Sequence, residues 1–287
     1  MNTANETILV VGGTGKTGRR IAERLWDRGI PVRIASRAAT PPFDWENPAS
    51  WGPALQDIKA AYISFYPDLA IPGAADTVRA FARQAVASGV QRLVLLSGRG
   101  EEGALAGEQA VQESGAEWTI VRCSWFCQNF SENYLLDAVL AGEITLPVGD
   151  VGEPFVDADD IADVAVAALT GSGHAGQIYE LTGPRLLTFA EATAELAAAA
   201  GREIRYTEVP LADYTGTLAQ QQVPAEFVEL LVYLFGEVLD GRNAHVSDGV
   251  QRALGRPPKD FAAYARDAAA SGVFGAQSAH AKEAVSG

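Results

Sequence analysis

The sequence predicts an α/β fold: a doubly wound parallel sheet followed by a smaller, mostly helical C-terminal region. Three observations predict it. Short apolar runs alternate with helical patterns from the start of the 287 residues. A glycine-rich turn separates the first apolar run from the first helix. No internal repeat, charge block or long linker interrupts the chain.

The elements follow in order. Ile8–Val11, Val32–Ala35, Ala61–Phe65, Leu93–Leu96, Trp118–Val121 and Ile178–Leu181 each read as a buried strand. Phe43–Trp45 reads as a further strand cut to a few residues. Between these runs lie amphipathic stretches. In ADTVRAFARQAVASG, Val78, Phe81, Ala82, Ala85 and Val86 share one helical face, and Gly89 supplies the stop. Such alternation implies βαβ units with right-handed crossovers. Further on, Asp157–Leu169 reads as a helix with acids in its first turn, which suits the helix dipole. Thr188–Glu191 has capping-box spacing. Pro224–Phe235 starts with proline and is apolar nearly all round. The predicted division is a nucleotide-binding core over 1–183, whose 122–155 stretch contributes to a substrate pocket. A C-terminal substrate region over 184–274 packs on that core, and a frayed tail covers 275–287.

Composition excludes several classes. Apolar residues make up 48% of the chain, and the formal net charge is −14, which would repel a nucleic acid over most of the surface. The N-terminus lacks the pattern of a secretory signal, and no apolar stretch approaches the roughly 18 residues that span a bilayer. The two cysteines, Cys123 and Cys127, read as buried, reduced thiols. The three histidines are scattered, so no metal constellation is visible. The expectation is a cytoplasmic protein with a small-molecule partner, without nucleic acid or membrane. The sequence leaves its oligomeric state open.

The glycine turn, ILVVGGTGKTG, can be read in two ways. A phosphate-binding loop of the G-x-x-x-x-G-K-[ST] type needs glycine at position 10, where Val10 stands inside the strand. A dinucleotide turn fits: Gly13, Gly15 and Gly18 give G-x-G-x-x-G, and Gly12 precedes them directly after a strand. Glycine permits the tight turn and close backbone approach, and the following helix offers its N-terminus to a pyrophosphate. This is a Rossmann-type arrangement. From Gly29 to Phe43 no acid is available for a ribose 2′-hydroxyl. Ser36 and Arg37 stand there instead, and a guanidinium suits a 2′-phosphate, so NADP(H) is the expected cofactor.

A common catalytic pair is missing. Many reductases on this fold use Tyr-x-x-x-Lys, with tyrosine as proton donor. None of the eight tyrosines here has a lysine four residues on, and no lysine occurs between Lys59 and Lys259. By topology, Tyr66 lies near the nicotinamide as a donor or stacking group, and Ser97 marks a strand end where a catalytic serine often sits. These two are the catalytic candidates. Trp125, Phe126 and Asn129 are candidate walls of the substrate pocket. Asp157, Asp159 and Asp160 read as helix-capping acids, with attraction of a cationic substrate as the alternative.

GGTGKTG, SGRG, TIVRCSWFCQNFSE, PFVDADDIADVA and YELTGPRLLTFAEA resemble the NmrA-like atypical short-chain dehydrogenases. GGTGKTGRRIA, IASR, FDWENPASW and WFCQNFSE resemble more narrowly the ergot-alkaloid branch, the festuclavine and agroclavine dehydrogenase-like proteins. The resemblance runs from about Ile8 to Phe274. It implies an NADPH-dependent reductase whose cofactor is lined by Gly12, Thr14, Gly15, Lys16, Thr17, Gly18, Ser36 and Arg37. The later strand ends add Phe65, Tyr66, Ser97 and Ser124. Cys123 departs from the proline that many relatives carry there. The branch also implies a reaction that needs no proton donor. Hydride added to an iminium yields a neutral amine, whereas a ketone develops alkoxide charge. An imine, an iminium or an activated double bond of a small organic molecule, such as a secondary metabolite, is the expected acceptor. The alternatives are a quinone or azo reductase, which could employ a flavin, and a non-catalytic NADP(H)-sensing protein.

Overall fold

The computed structural model describes residues 6–132 and 135–275. In chain order the strands are β1 (Thr7–Val11), β2 (Val32–Ala35), β3 (Ile58–Ile63), β4 (Arg92–Gly98), β5 (Glu117–Cys123), β6 (Glu143–Leu146), β7 (Gln177–Leu181) and β8 (Arg205–Glu208). The helices are α1 (Lys16–Asp27), α2 (Trp51–Leu55), α3 (Ala74–Ala87), α4 (Glu102–Gln112), α5 (Leu135–Ala141), α6 (Ala158–Thr170), α7 (Phe189–Ala200), α8 (Leu211–Gln220), α9 (Ala225–Tyr233), α10 (Gly249–Leu254) and α11 (Phe261–Ala270). No helix among the described residues is long and apolar enough to cross a membrane.

Two compact units emerge, and the chain passes between them more than once. The first comprises the described residues of Met1–Ser124, Ala158–Thr182 and Ser247–Pro258. The second comprises those of Trp125–Asp157, Gly183–Val246 and Lys259–Gly287. This partition differs from the contiguous 1–183 and 184–274 division that periodicity suggests. Hydrophobic pattern marks elements, but it does not show which unit a returning segment joins. Of the expected tail, 276–287 lies outside the described residues.

In the first unit, β2-β1-β3-β4-β5-β7 form a parallel six-stranded sheet. Its central strands are apolar on both faces, because α1 and α6 pack on one side and α2, α3 and α4 on the other. The chain order reverses between β1 and β3, and ligands of open α/β sheets bind outside the carboxyl ends of strands at such a point. Val78, Phe81, Ala82 and Ala85 of α3 are buried, as their spacing requires, while Val86 is only half-buried.

Phe43–Trp45 is not a strand. Phe43 instead packs edge-on against Phe81 at 5.6 Å, and Trp45 packs against Phe65 at 4.9 Å and Phe81 at 5.2 Å. The aromatic run is an anchor for the loop, and side-chain packing overrides its strand propensity.

The second unit holds a short parallel pair, β6 and β8, and a separate apolar core built on Phe130, Phe155, Phe189 and Phe261. Thr188 caps α7 with the expected reciprocal bonds to Glu191. Helix α9 has no buried residue and runs into a π-helical turn, Leu234–Val238, in which Phe235 and Val238 are buried. Pro224 stands at its N-cap, one position before the first helical residue.

Candidate functional site

The glycine turn at the end of β1 is built by close contacts. Gly12 adopts φ +71°, and a Cβ there would meet the Ser64 Cβ at 3.2 Å across the β1–β3 crevice. At Gly13 a Cβ would sit 2.7 Å from Ile34 Cδ1 of β2. At Gly18 it would sit 2.7 Å from both the Gly12 carbonyl carbon and Gly13 Cα, so α1 can begin this close to the strand only with glycine. Gly15, the N-cap of α1, is different. Its only neighbour within reach is the Gly12 carbonyl oxygen, at 3.2 Å. That side of the helix N-terminus has the room a pyrophosphate needs, with Thr14 exposed beside it. The residues fit a dinucleotide.

Neighbouring groups hold the turn in place. The buried Tyr62 hydroxyl of β3 donates to Thr17 Oγ1 at 2.8 Å. Arg20 donates to the Lys16 carbonyl at 2.8 Å and pairs with Asp159. Arg24 joins Asp159 and Asp163. Asp160 is buried and held by Arg256 at 2.5 Å. Asp157, in the second unit, accepts from Gln128 at 2.9 Å and faces Lys259 at 3.3 Å. These three aspartates are therefore members of ion pairs. Asp159 and Asp160 also stand in the first turn of α6, where their charge suits the helix dipole as expected.

At the end of β2, Ser36 is half-buried and its carbonyl anchors the next turn through Ala39 and Phe43. Arg37 is exposed. Arg33 is used differently, donating to the Ala54 and Gln56 carbonyls. The division of labour leaves Arg37 as the guanidinium available at this strand end.

The carboxyl ends of β3, β4 and β5 carry the remaining first-unit candidates. Phe65 packs on Trp45, whereas Tyr66 is 63% exposed. An exposed ring at this position is not core packing. Ser97 is 4% exposed and donates to Glu108 Oε1 at 2.6 Å. Glu108 also takes Arg122 Nε at 2.9 Å and Nη2 at 2.5 Å, and Arg122 reaches Glu180 at 2.9 Å. The Ser97 hydroxyl proton is thus directed at the Glu108 carboxyl of α4. Ser124 donates to the Leu181 carbonyl at 3.2 Å, which ties the end of β5 to β7. Cys123 is buried, and burial followed by the nearby Glu101 carboxylate raises its thiol well above the ordinary value, so it stays inert. Neither cysteine is in a disulfide, and both are buried.

Sequence reasoning missed one feature. The Glu101 carboxyl lies directly over Gly98, where any Cβ would collide with it, and shares a hydrogen bond with Asp68. Burial raises both carboxyls, and Asp68 and Glu108 raise Glu101 further. Gly103 and Gly107 of α4 admit the loop carrying Asp68. A Cβ at 107 would meet Leu69 Cδ1 at 2.6 Å, and one at 103 would collide with the Ala70 backbone. Two glycines four apart on one helix were the available signal.

In the second unit, Trp125 Nα donates to Glu153 Oε1 at 3.0 Å, and its carbonyl accepts from Val156 at 2.9 Å. Phe126 forms a bridge with Val156. Asn129 is half-buried at the end of a 3-10 turn. Among the described residues no group of three or more His, Cys, Asp or Glu is placed to hold a metal ion.

This sheet and glycine cradle define a Rossmann-type nicotinamide-dinucleotide-binding protein. No family model matches the chain. The NAD(P)H azoreductase of Xenophilus azovorans is 33% identical, over 94% of this chain and 99% of its own length. Festuclavine dehydrogenase of Aspergillus fumigatus is 30% identical, over 90% of this chain and 96% of its own. The crystal structure of an NADPH-dependent quinone oxidoreductase from Escherichia coli superposes with a TM-score of 0.73 at 22% identity. It covers 91% of this chain and 98% of that one, a likeness of fold. The chain belongs to the NmrA-like atypical short-chain dehydrogenase/reductases, and it is an NAD(P)H-dependent reductase of that family.

Proposed function

We propose that this reductase takes hydride from NADPH and delivers it to an electron-poor double bond, an imine, an iminium or an activated C=C, of a small conjugated molecule. The observation that carries the reading is the absence of a lysine-supported acid. The loops after β3, β4 and β5 contain no lysine. Lys259 is engaged by Asp157 and Asp267, and Ser97 is spent on Glu108. No lysine-supported acid stands at those strand ends to quench an alkoxide, so simple ketones are poor substrates. Acceptors that enter already polarised need only positioning.

NADPH is preferred over NADH because Arg37 stands exposed at the end of β2 with no carboxylate between Gly29 and Phe43. The reduced nicotinamide supplies hydride. Gly12 to Gly18 cradle the pyrophosphate, and the exposed Tyr66 ring offers a face for stacking. The relatives' names, an NAD(P)H azoreductase and a festuclavine dehydrogenase, support redox chemistry on a small organic molecule. The test is loss of reduced-nicotinamide absorbance with an iminium, an activated alkene, a quinone and a simple ketone. Turnover of the ketone alone would overturn the proposal.

A further inference from the structure

The loop that leaves β3 is tied down by two acids. It runs from Ser64, which closes on Gly12 of the cofactor turn, through the exposed Tyr66 to Gly73 at the start of α3. Leu69 is buried against Gly107 of α4, and Ala70 lies against Gly103. Asp68 stands between Tyr66 and these contacts. It accepts the Ala70 N–H at 2.8 Å and a second hydrogen bond from the Glu101 carboxyl, which lies over Gly98 at the end of β4. All of these residues belong to the first unit.

A carboxyl group donates only while it carries a proton, and a carboxylate only accepts. Asp68 accepts from a backbone N–H, so the proton of the pair sits on Glu101. Burial first, and then the Asp68 and Glu108 charges, hold the Glu101 carboxyl well above its ordinary range. The groups that face the pair are Glu108 of α4, with Arg122 upon it, and the buried Cys123 thiol of β5, which keeps its proton. Beside Gly98, Arg99 pairs with Glu180 of β7 at 3.6 Å. Loss of the Glu101 proton leaves two half-buried carboxylates in contact, and attraction between them becomes repulsion. Leu69 is held by apolar packing that pH does not touch, whereas Asp68 is held by that one proton. Gly73 gives the loop a place to turn: its φ is +84°, and no atom lies within 4 Å of an added Cβ.

We infer that the Asp68–Glu101 pair is a proton-operated latch on the loop that carries Tyr66. With a proton between the carboxyls, the loop is held on α4 and presents Tyr66 to the dinucleotide. Without it the Tyr66–Asp68 end comes away, and the dinucleotide binds more weakly. The proton leaves to water, and no other bond is made or broken. Asp68 and Glu101 are positioning residues, acting on the cofactor through Tyr66. The inference rests on the cofactor site described above and not on the identity of the acceptor. Linkage fixes its sign: a cofactor that favours the latched loop takes up a proton wherever the free pair has lost one.

The experiment titrates NADH between about pH 5.5 and 9, because the 2′-phosphate of NADPH would add a titration of its own. In the parent, Kd should rise with pH by about 5- to 150-fold in all, the usual range of coupling between two sites. Glu101→Gln keeps an N–H donor for Asp68 but has no proton to lose, so its Kd should stay at the parent's low-pH value throughout. Asp68→Ala lacks the acceptor and should stay at the parent's high-pH value. A parent Kd that does not change with pH overturns the inference, as does a Glu101→Gln profile that follows the parent. A further arm needs no variant: calorimetry of the parent in two buffers of different ionisation enthalpy should show proton uptake on NADH binding. Absence of uptake at every pH overturns the latch. A parent that binds neither NADH nor NADPH overturns the cofactor site and the latch with it.

Discussion

Gly15 and Gly18 stand three residues apart in one turn, yet substitution should affect them through different properties. At Gly18 an added Cβ lies 2.7 Å from two backbone carbons and closer still to the Gly12 carbonyl, whereas ordinary contact begins near 3.4 Å. Backbone cannot swing aside as a side chain can, so Gly18→Ala forces α1 away from β1. Overpacking of this kind costs about 1–3 kcal/mol, or about 2–12 °C in Tm at about 2–4 °C per kcal/mol for a chain of this size. At Gly15 the φ of −79° suits any residue and the nearest atom is 3.2 Å away. Serine, a good N-cap, should cost the apo protein little, since only the Gly12 carbonyl must give by a few tenths of an ångström, while filling the space of the pyrophosphate. Thermal unfolding with and without NADPH separates the two. At 100 times Kd the cofactor should stabilise the parent by about 2.7 kcal/mol. Gly15→Ser should keep the apo Tm and lose that gain, and Gly18→Ala should lose apo Tm. If Gly18→Ala melts with the parent, the close-approach argument is wrong. If Gly15→Ser keeps the full NADPH effect, the cofactor does not use the open side of the turn.

The remaining expectations concern charges. Arg37→Ala should erase most of an NADPH preference of at least ~10-fold, about 1.4 kcal/mol, while NADH affinity stays nearly constant; titration of both cofactors checks this. Glu108→Gln removes the carboxylate shared by Ser97 and Arg122. It should cost about 3 kcal/mol in urea unfolding, the low end for a broken buried pair because Arg122 keeps Glu180. The Glu101 carboxyl is held above its ordinary 4.5, so its contribution is complete below that pH and disappears as pH rises through the folded value. The parent should thus lose stability on going up from pH 4.5 more steeply than Glu101→Gln; equal slopes of Tm against pH would refute the shared proton.

The sheet was legible because its central strands are buried on both faces and read as unbroken apolar runs. The glycine turn was legible because each glycine answers a local requirement. Local pattern could not announce contacts between distant segments. Ser97 looked like a free hydroxyl until Glu108 came beside it from α4. Asp159 and Asp160 are the expected first-turn acids of α6, but their ion pairs with Arg20, Arg24 and Arg256, and that of Asp157 with Lys259, come from other parts of the chain. Phe43–Trp45 looked like a strand because aromatic side chains favour both strands and cores. Strands β6 and β8, of four residues each, carry too short an alternation to stand out. The pairing of Asp68 with Glu101 depends on a loop docking against Gly103 and Gly107, which neither segment shows alone.

The central claim is hydride delivery from NADPH without a lysine-supported tyrosine. Its most direct measurement is the initial rate of NADPH oxidation with one electron-poor double bond and one simple ketone, in the parent and in Tyr66→Phe. The account predicts turnover of the first substrate at a rate that outruns the ketone by about 10²–10⁴, the usual worth of a positioned acid. It also predicts that Tyr66→Phe leaves this ordering intact. Robust ketone reduction that collapses in Tyr66→Phe would contradict it.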